Sequence, residues 1–152
     1  MTPRIAGTDL GQLLKANFTP GTAPSGRISL HVPQVPVPVE VDANLIGIAI
    51  SNLVENALKY SPADSQVALI LAASDTHAEV RVVDRGIGIA LQDWTRIFEK
   101  FYRAAEAQSQ SGAGLGLHLA RELARRHGGE VSLVYSSHGT GTCFALTLPL
   151  GK

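Results

Sequence analysis

The chain has one cysteine, Cys143, one methionine and one tryptophan, and aromatics make up only 5% of its 152 residues. A single cysteine excludes an intrachain disulfide and any cysteine-rich metal cluster, and a reducing compartment is its simplest setting. Excess charge is also missing: Lys+Arg and Asp+Glu number 13 each, which argues against a broad basic surface for nucleic acid. Long apolar runs are absent too. The longest wholly apolar stretch, Val67 to Ala73, falls far short of the roughly 18–20 residues that cross a bilayer. Met1-Thr-Pro-Arg4 lacks the apolar core of a signal peptide. What remains is a composition of 45% hydrophobic and 17% charged residues, that of a globular single domain able to bury a core.

The densest apolar segment carries polar residues at helical spacing. Leu45-Ile-Gly-Ile-Ala-Ile-Ser-Asn-Leu-Val-Glu-Asn-Ala-Leu58 places Asn52 and Asn56 one turn apart on one face, with Glu55 and Lys59 on or beside it. A buried amide without partners costs about 1–3 kcal/mol. Two amides, a carboxylate and an ammonium suit a magnesium-phosphate ligand; a solvated helix face is the bland alternative, and both stand open on this segment alone.

Around this helix the pattern is α+β. Thr8-Asp9 caps a short helix to about Asn17, and a Pro/Gly/Ser-rich loop over 19–26 leads to alternating Ile28, Leu30 and Val32, a strand. Val35-Pro-Val-Pro-Val-Glu-Val41 alternates like a strand, but its prolines confine it to a sheet edge or a connection, with only its last residues paired. Asp42 caps the long helix, which runs to about Tyr60. Gln66–Ser74 and His77–Asp84 form a hairpin, followed by a glycine loop over Arg85–Ile89 and a short helical piece around Asp93–Phe98. Glu99 to Gly114 has no period and reads as a mobile loop; Leu115–His127 is a helix closed by Gly128-Gly129. Glu130–Tyr135 and Thr142–Leu148 are the last strands, hinged at Gly139-Thr-Gly141. Antiparallel pairs with widely spaced helices predict one sheet covered on one face.

Glycine recurs where backbone could approach a ligand. In Asp84-Arg-Gly86-Ile-Gly88-Ile89 a strand ends on a carboxylate that could accept from an adenine amine, although such turns are common in hairpins. Gly112-Ala-Gly114-Leu-Gly116-Leu117 opens a helix, where backbone N–H groups and the dipole favour phosphate. It matches neither a P-loop nor a dinucleotide fingerprint. Ile97-Phe-Glu-Lys-Phe-Tyr-Arg103 places aromatics at core spacing and then presents a cation to the mobile loop.

In their joint order these boxes resemble the catalytic ATP-binding domain of bacterial two-component sensor histidine kinases, of the GHKL superfamily. Asn52-Leu-Val-Glu-Asn-Ala-Leu-Lys-Tyr-Ser-Pro62, Ile97-Phe-Glu-Lys-Phe-Tyr-Arg103 and His127-Gly-Gly129 carry the closest likeness, which covers about residues 28–150. The resemblance implies an α+β Bergerat fold: a two-layer sandwich with a mixed sheet of about five strands, three helices on one face and a flexible ATP lid over about 103–114. Residues 1–26 would be a lead segment.

It implies ATP and Mg2+ as ligands. By position, Asn56 would hold magnesium, Asn52 and Lys59 would meet the phosphates, and Tyr60 would lie along the nucleotide. Asp84 would read the adenine amine, supported by Thr142, while Gly86, Gly88 and Ile89 would floor the base pocket. Arg103 would approach the γ-phosphate. Gly112, Gly114, Leu115, Gly116 and Leu117 would form the lid and the phosphate-facing helix start. Arg85 and Ile87 stand where the family often has asparagine and proline, and Arg85 is a large charged residue beside the implied base pocket that bears on nucleotide affinity.

The implied reaction moves the γ-phosphoryl group to a histidine on a separate dimerisation and phosphoacceptor domain, and from there to a response regulator. None of His31, His77, His118, His127 and His138 has the acidic helical context of that acceptor. The fragment is expected to be a cytoplasmic monomer without direct membrane contact or nucleic-acid partner, its full-length protein anchored in the bacterial inner membrane. Two rivals remain. Gyrase, mismatch-repair and chaperone ATPases share the fold, but there a glutamate stands where this chain has Asn52, and an amide cannot act as that base. A degenerate module that binds nucleotide without transferring phosphate is the other.

Overall fold

Strand alternation decides which side chains reach the interior. The computed structural model describes residues 4–18, 28–62, 65–86, 116–137 and 141–151. Its elements are β1 (Ala6–Asp9), α1 (Leu10–Phe18), β2 (Ile28–His31), β3 (Pro38–Val41), α2 (Ala43–Tyr60), β4 (Val67–Ala73), β5 (His77–Asp84), α3 (Gly116–Arg126), β6 (Glu130–Ser137) and β7 (Gly141–Pro149). Five strands form one mixed sheet in the order β2-β4-β5-β7-β6; β2 and β4 are parallel and the other neighbours antiparallel. The expected hairpin is β4–β5, and the expected last strands are β6 and β7, with a register irregularity between Leu133 and Tyr135.

Along β5 the inward residues are Ala78, Val80, Val82 and Asp84, while Glu79 and Arg81 pair on the other face. Opposite them on β7 stand Leu148, Leu146, Phe144 and Thr142, which share that inward face because directly paired residues point the same way. The period that packs three apolar residues therefore also delivers the Asp84 carboxylate to the interior side. α2 lies over β5 and β7 and packs along α3, and α1 packs on α2 and β2. Ile46, Ile50, Leu53, Leu69, Phe144 and Leu146 are fully buried between these layers.

The expected caps form. Asp42 Oδ1 accepts from the amides of Asn44 and Leu45 at 3.0 and 3.2 Å, and Oδ2 accepts from Arg4 N–H at 2.8 Å. These amides, Arg4 first, hold the Asp42 carboxyl below its usual range despite burial. At the other helix, Gly128 (φ 79) and Gly129 return N–H groups to the carbonyls of Arg125 and Ala124, a Schellman closure. Arg121 and Arg125 pair with Glu130 at 2.8 and 3.1 Å. Burial alone would raise that carboxyl, but the two guanidiniums and the Val131 amide outweigh it and bring it to about 2.

One element went unforeseen. Ala6-Gly-Thr-Asp9 has no apolar alternation, yet it pairs antiparallel with Pro38–Val41 as a separate two-stranded ribbon. The proline-bearing segment is thus at an edge with only its last residues paired, as its sequence requires. The expected short helix around Asp93–Phe98, the expected loop from Glu99 to Gly114, and Gly139-Thr140 lie outside the described residues. Among the described residues no helix is long and apolar enough to cross a membrane.

Gly141 is a position that requires glycine. Its φ is 117, and a Cβ there would sit 2.0 Å from the Asp84 carbonyl oxygen and 2.9 Å from Arg85 Cα. Gly141→Ala is expected to lower stability by at least about 1–3 kcal/mol, from a backbone region closed to L residues and an overlap with backbone that cannot yield. Gly47→Ala is the control. Its Cβ would meet only Asn17 Nδ2 at 3.9 Å, and a helix-interior alanine should raise stability by about 0.5–1 kcal/mol in thermal unfolding.

Candidate functional site

On α2 the stripe read from sequence lies at the border of the core. Leu53, Val54 and Ala57 are buried, Asn52 and Asn56 are half-buried, and Glu55 and Lys59 are exposed. Tyr60 is the last residue of the helix, and Ser61 Oγ donates back to the Ala57 carbonyl at 2.6 Å, closing it. The Asn52 Nδ2 atom is buried and has no hydrogen-bond partner among the described residues. Such a group costs about 1–3 kcal/mol unless something takes its hydrogens.

The N-terminus of α3 stands beside it. A Cβ on Gly116 would lie 3.9 Å from both Cβ and Oδ1 of Asn52. Backbone at the start of α3 therefore lies next to the amide stripe, with Leu117 half-buried after it. Helix spacing and helix packing together bring Asn52, Asn56 and Gly116 into one place.

Asp84 ends β5 at 6% exposure. Its Oδ1 accepts from the Gly86 N–H at 2.7 Å, a tight turn that needs the two-residue spacing. Burial pushes the carboxyl above its usual range, and the amides of Gly86 and Thr142 partly pull it back. Thr142 stands opposite Asp84 in the β5–β7 pairing, and its hydroxyl is 2.8 Å from Ser136 Oγ. Below them Gly141 presses on the Asp84 backbone, a contact the sequence signals only by a Gly-x-Gly before a strand.

Both groups face the same layer, since α2 packs on the strands that end at Asp84 and begin at Gly141. Gly88, Ile89, Arg103, Gly112, Gly114 and Leu115 lie outside the described residues, as does the Tyr60 side chain. Among the described residues no three His, Cys, Asp or Glu side chains gather as a metal site. A hard cation held mainly by phosphate oxygens and one amide oxygen is compatible with that, and magnesium binds in this way.

Known proteins of similar sequence and fold are sensor histidine kinases. SenX3 of Mycobacterium tuberculosis (strain CDC 1551 / Oshkosh), a sensor-like histidine kinase, is 43% identical over 110 residues, 71% of this chain. The chain spans only 27% of that protein's length. A solved structure of the mycobacterial sensor histidine kinase MprB superposes with a TM-score of 0.84 at 30% identity, over 95% of this chain and 98% of that one. Full-length ShkA, solved in complex with AMPPNP, gives 0.77 at 25% identity over all of this chain and 32% of its own. With residues 41–152 matching the family model itself, the chain belongs to the histidine kinase-, DNA gyrase B- and HSP90-like ATPases, a nucleotide-binding family.

Proposed function

We propose that this domain binds magnesium ATP and passes the γ-phosphoryl group to a histidine on a separate helical domain of the same full-length kinase. The observation that carries the reading is the buried Asn52 amide, without a partner among the described residues and set against the first turn of α3. Asn52 donates to phosphate oxygens there, the α3 amides from Gly116 onward neutralise a second face, and Lys59 adds a cation from the end of α2. Magnesium, held by the Asn56 carboxamide oxygen, would supply charge neutralisation across the phosphates. Asp84 accepts from the adenine amine, with Gly86 and Gly88 beneath the base. Arg103 and the lid over 103–114, with Gly112 and Gly114, close the phosphate end.

The chain's work is positioning and charge compensation. The bond from the γ-phosphorus to the β–γ bridging oxygen breaks, a phosphorus–nitrogen bond forms on the imidazole, and ADP leaves. Asn52 favours transfer over hydrolysis, because a carboxamide cannot take a proton from water. In this reading the residues form one domain over 1–152, with 1–26 as a lead segment and the core over about 28–150. It works as a monomeric unit on the cytoplasmic side, within an inner-membrane protein that feeds a response regulator.

The test mixes this chain with the histidine-bearing helical domain of its full-length protein and γ-labelled ATP. Label is expected on that domain in an acid-labile, alkali-stable form. Release of the label as inorganic phosphate would favour an ATPase, and label left on ATP would favour a binding module without transfer.

A further inference from the structure

We propose that His127 is a positioning residue that sets how far α3 can slide along α2, and thereby keeps the start of α3 beside Asn52. The inference rests on the nucleotide site proposed above. His127 is buried at 9% exposure, one residue past the end of α3. Its Nδ1 lies 2.7 Å from the Leu123 carbonyl oxygen, and its Nε2 lies 3.2 Å from the Asp42 backbone nitrogen.

A carbonyl only accepts and a backbone amide only donates. Nδ1 must therefore carry the hydrogen, and Nε2 must offer its lone pair to the Asp42 N–H. One ring nitrogen is spent within its own helix, and the other reaches the residue that caps α2. Asp42 is 10 residues before Asn52, and His127 is 11 residues after Gly116. At about 1.5 Å per residue the two helices run similar distances between these contacts, so they are antiparallel and pinned at both ends. Gly116 stands beside Asn52 without a side chain, and a Cβ on it would lie 3.9 Å from the asparagine. Between these two ends, the histidine bond is the directional one.

Two substitutions separate the ring nitrogens. In His127→Gln the longer amide can place its oxygen near the Nε2 position and accept from Asp42 N–H. In His127→Asn the amide can only imitate Nδ1 and bond Leu123, so the link between helices is lost. Magnesium ATP affinity of the full chain, measured by calorimetry, is expected to fall about three- to tenfold in His127→Asn and to stay near wild type in His127→Gln, from the worth of one buried hydrogen bond. Equal affinity in all three chains would overturn the proposal, as would a glutamine variant as weak as the asparagine one.

A measurement on the unaltered chain covers the case where a variant fails to fold. If the tie favours the nucleotide-bound arrangement, bound nucleotide must favour the tie. Hydrogen exchange of the Asp42 amide should then slow at saturating magnesium ATP. Exchange unchanged by ATP that demonstrably binds would overturn the proposal alone. An unaltered chain that binds no ATP would instead overturn the site reading, and this proposal with it.

Discussion

Asp84→Asn should leave a domain at least as stable as the original that no longer holds ATP well. Its carboxyl sits above its ordinary range chiefly because burial penalises the charge. The sign follows from that shift. The folded state binds the proton more tightly than the unfolded one, so stability is greatest below the unfolded value near 3.8 and declines as pH rises through the raised folded value. At neutral pH the ionised carboxylate is a net cost, which a neutral amide of the same shape removes. Asparagine can still accept from Gly86 N–H through its oxygen, so the turn survives. What the amide cannot do is keep that bond and also offer a second, charged acceptor oxygen to the base. The loss is that of a charged hydrogen bond, about 1.5–3 kcal/mol, or on the order of 10- to 100-fold in affinity. Melting and ATP titration of one preparation check both halves. A variant that melts early would mean that the carboxylate is structural, and one that keeps its affinity would remove Asp84 from the base pocket.

The second expectation concerns the metal. Asn56→Ala should abolish the magnesium dependence of nucleotide binding while the helix keeps its stability. Asn56 is half-buried, one turn beyond Asn52 on the same face. Its oxygen is a neutral hard donor of the kind magnesium accepts beside phosphate oxygens. Alanine is the better helix former, so the change costs α2 nothing from propensity. ATP titrations with and without magnesium should converge in the variant and differ in the parent. A variant that retains the difference would remove Asn56 as the metal ligand.

Much of this arrangement was legible in the residues because each local rule agreed with its neighbours. Asp42 before an apolar helical run predicts a cap, and it caps. Alternation over His77–Asp84 predicts which side chains turn inward, and Asp84 falls on that side by parity alone. The Gly128-Gly129 pair predicts the closure of α3. What escaped depends on partners far away in sequence. Ala6–Asp9 is a strand only because β3 offers it an edge. Gly139-Thr-Gly141 reads as an ordinary turn until the Asp84 backbone is found against it. His127 reads as a residue before a cap, since nothing local shows that its ring meets an amide 85 positions earlier. Thr142 was expected to support the Asp84 carboxylate; that its hydroxyl lies beside Ser136 depends on the pairing of β6 with β7.

The pairing of Asp84 with Thr142 joins two strands across a long excursion of the chain. Closing such an excursion costs entropy that grows only with the logarithm of its length, about 0.6 kcal/mol for each doubling. The register that seats Asp84 opposite Thr142 is therefore set by the sheet itself, and depends only weakly on how many residues separate the two strands in sequence.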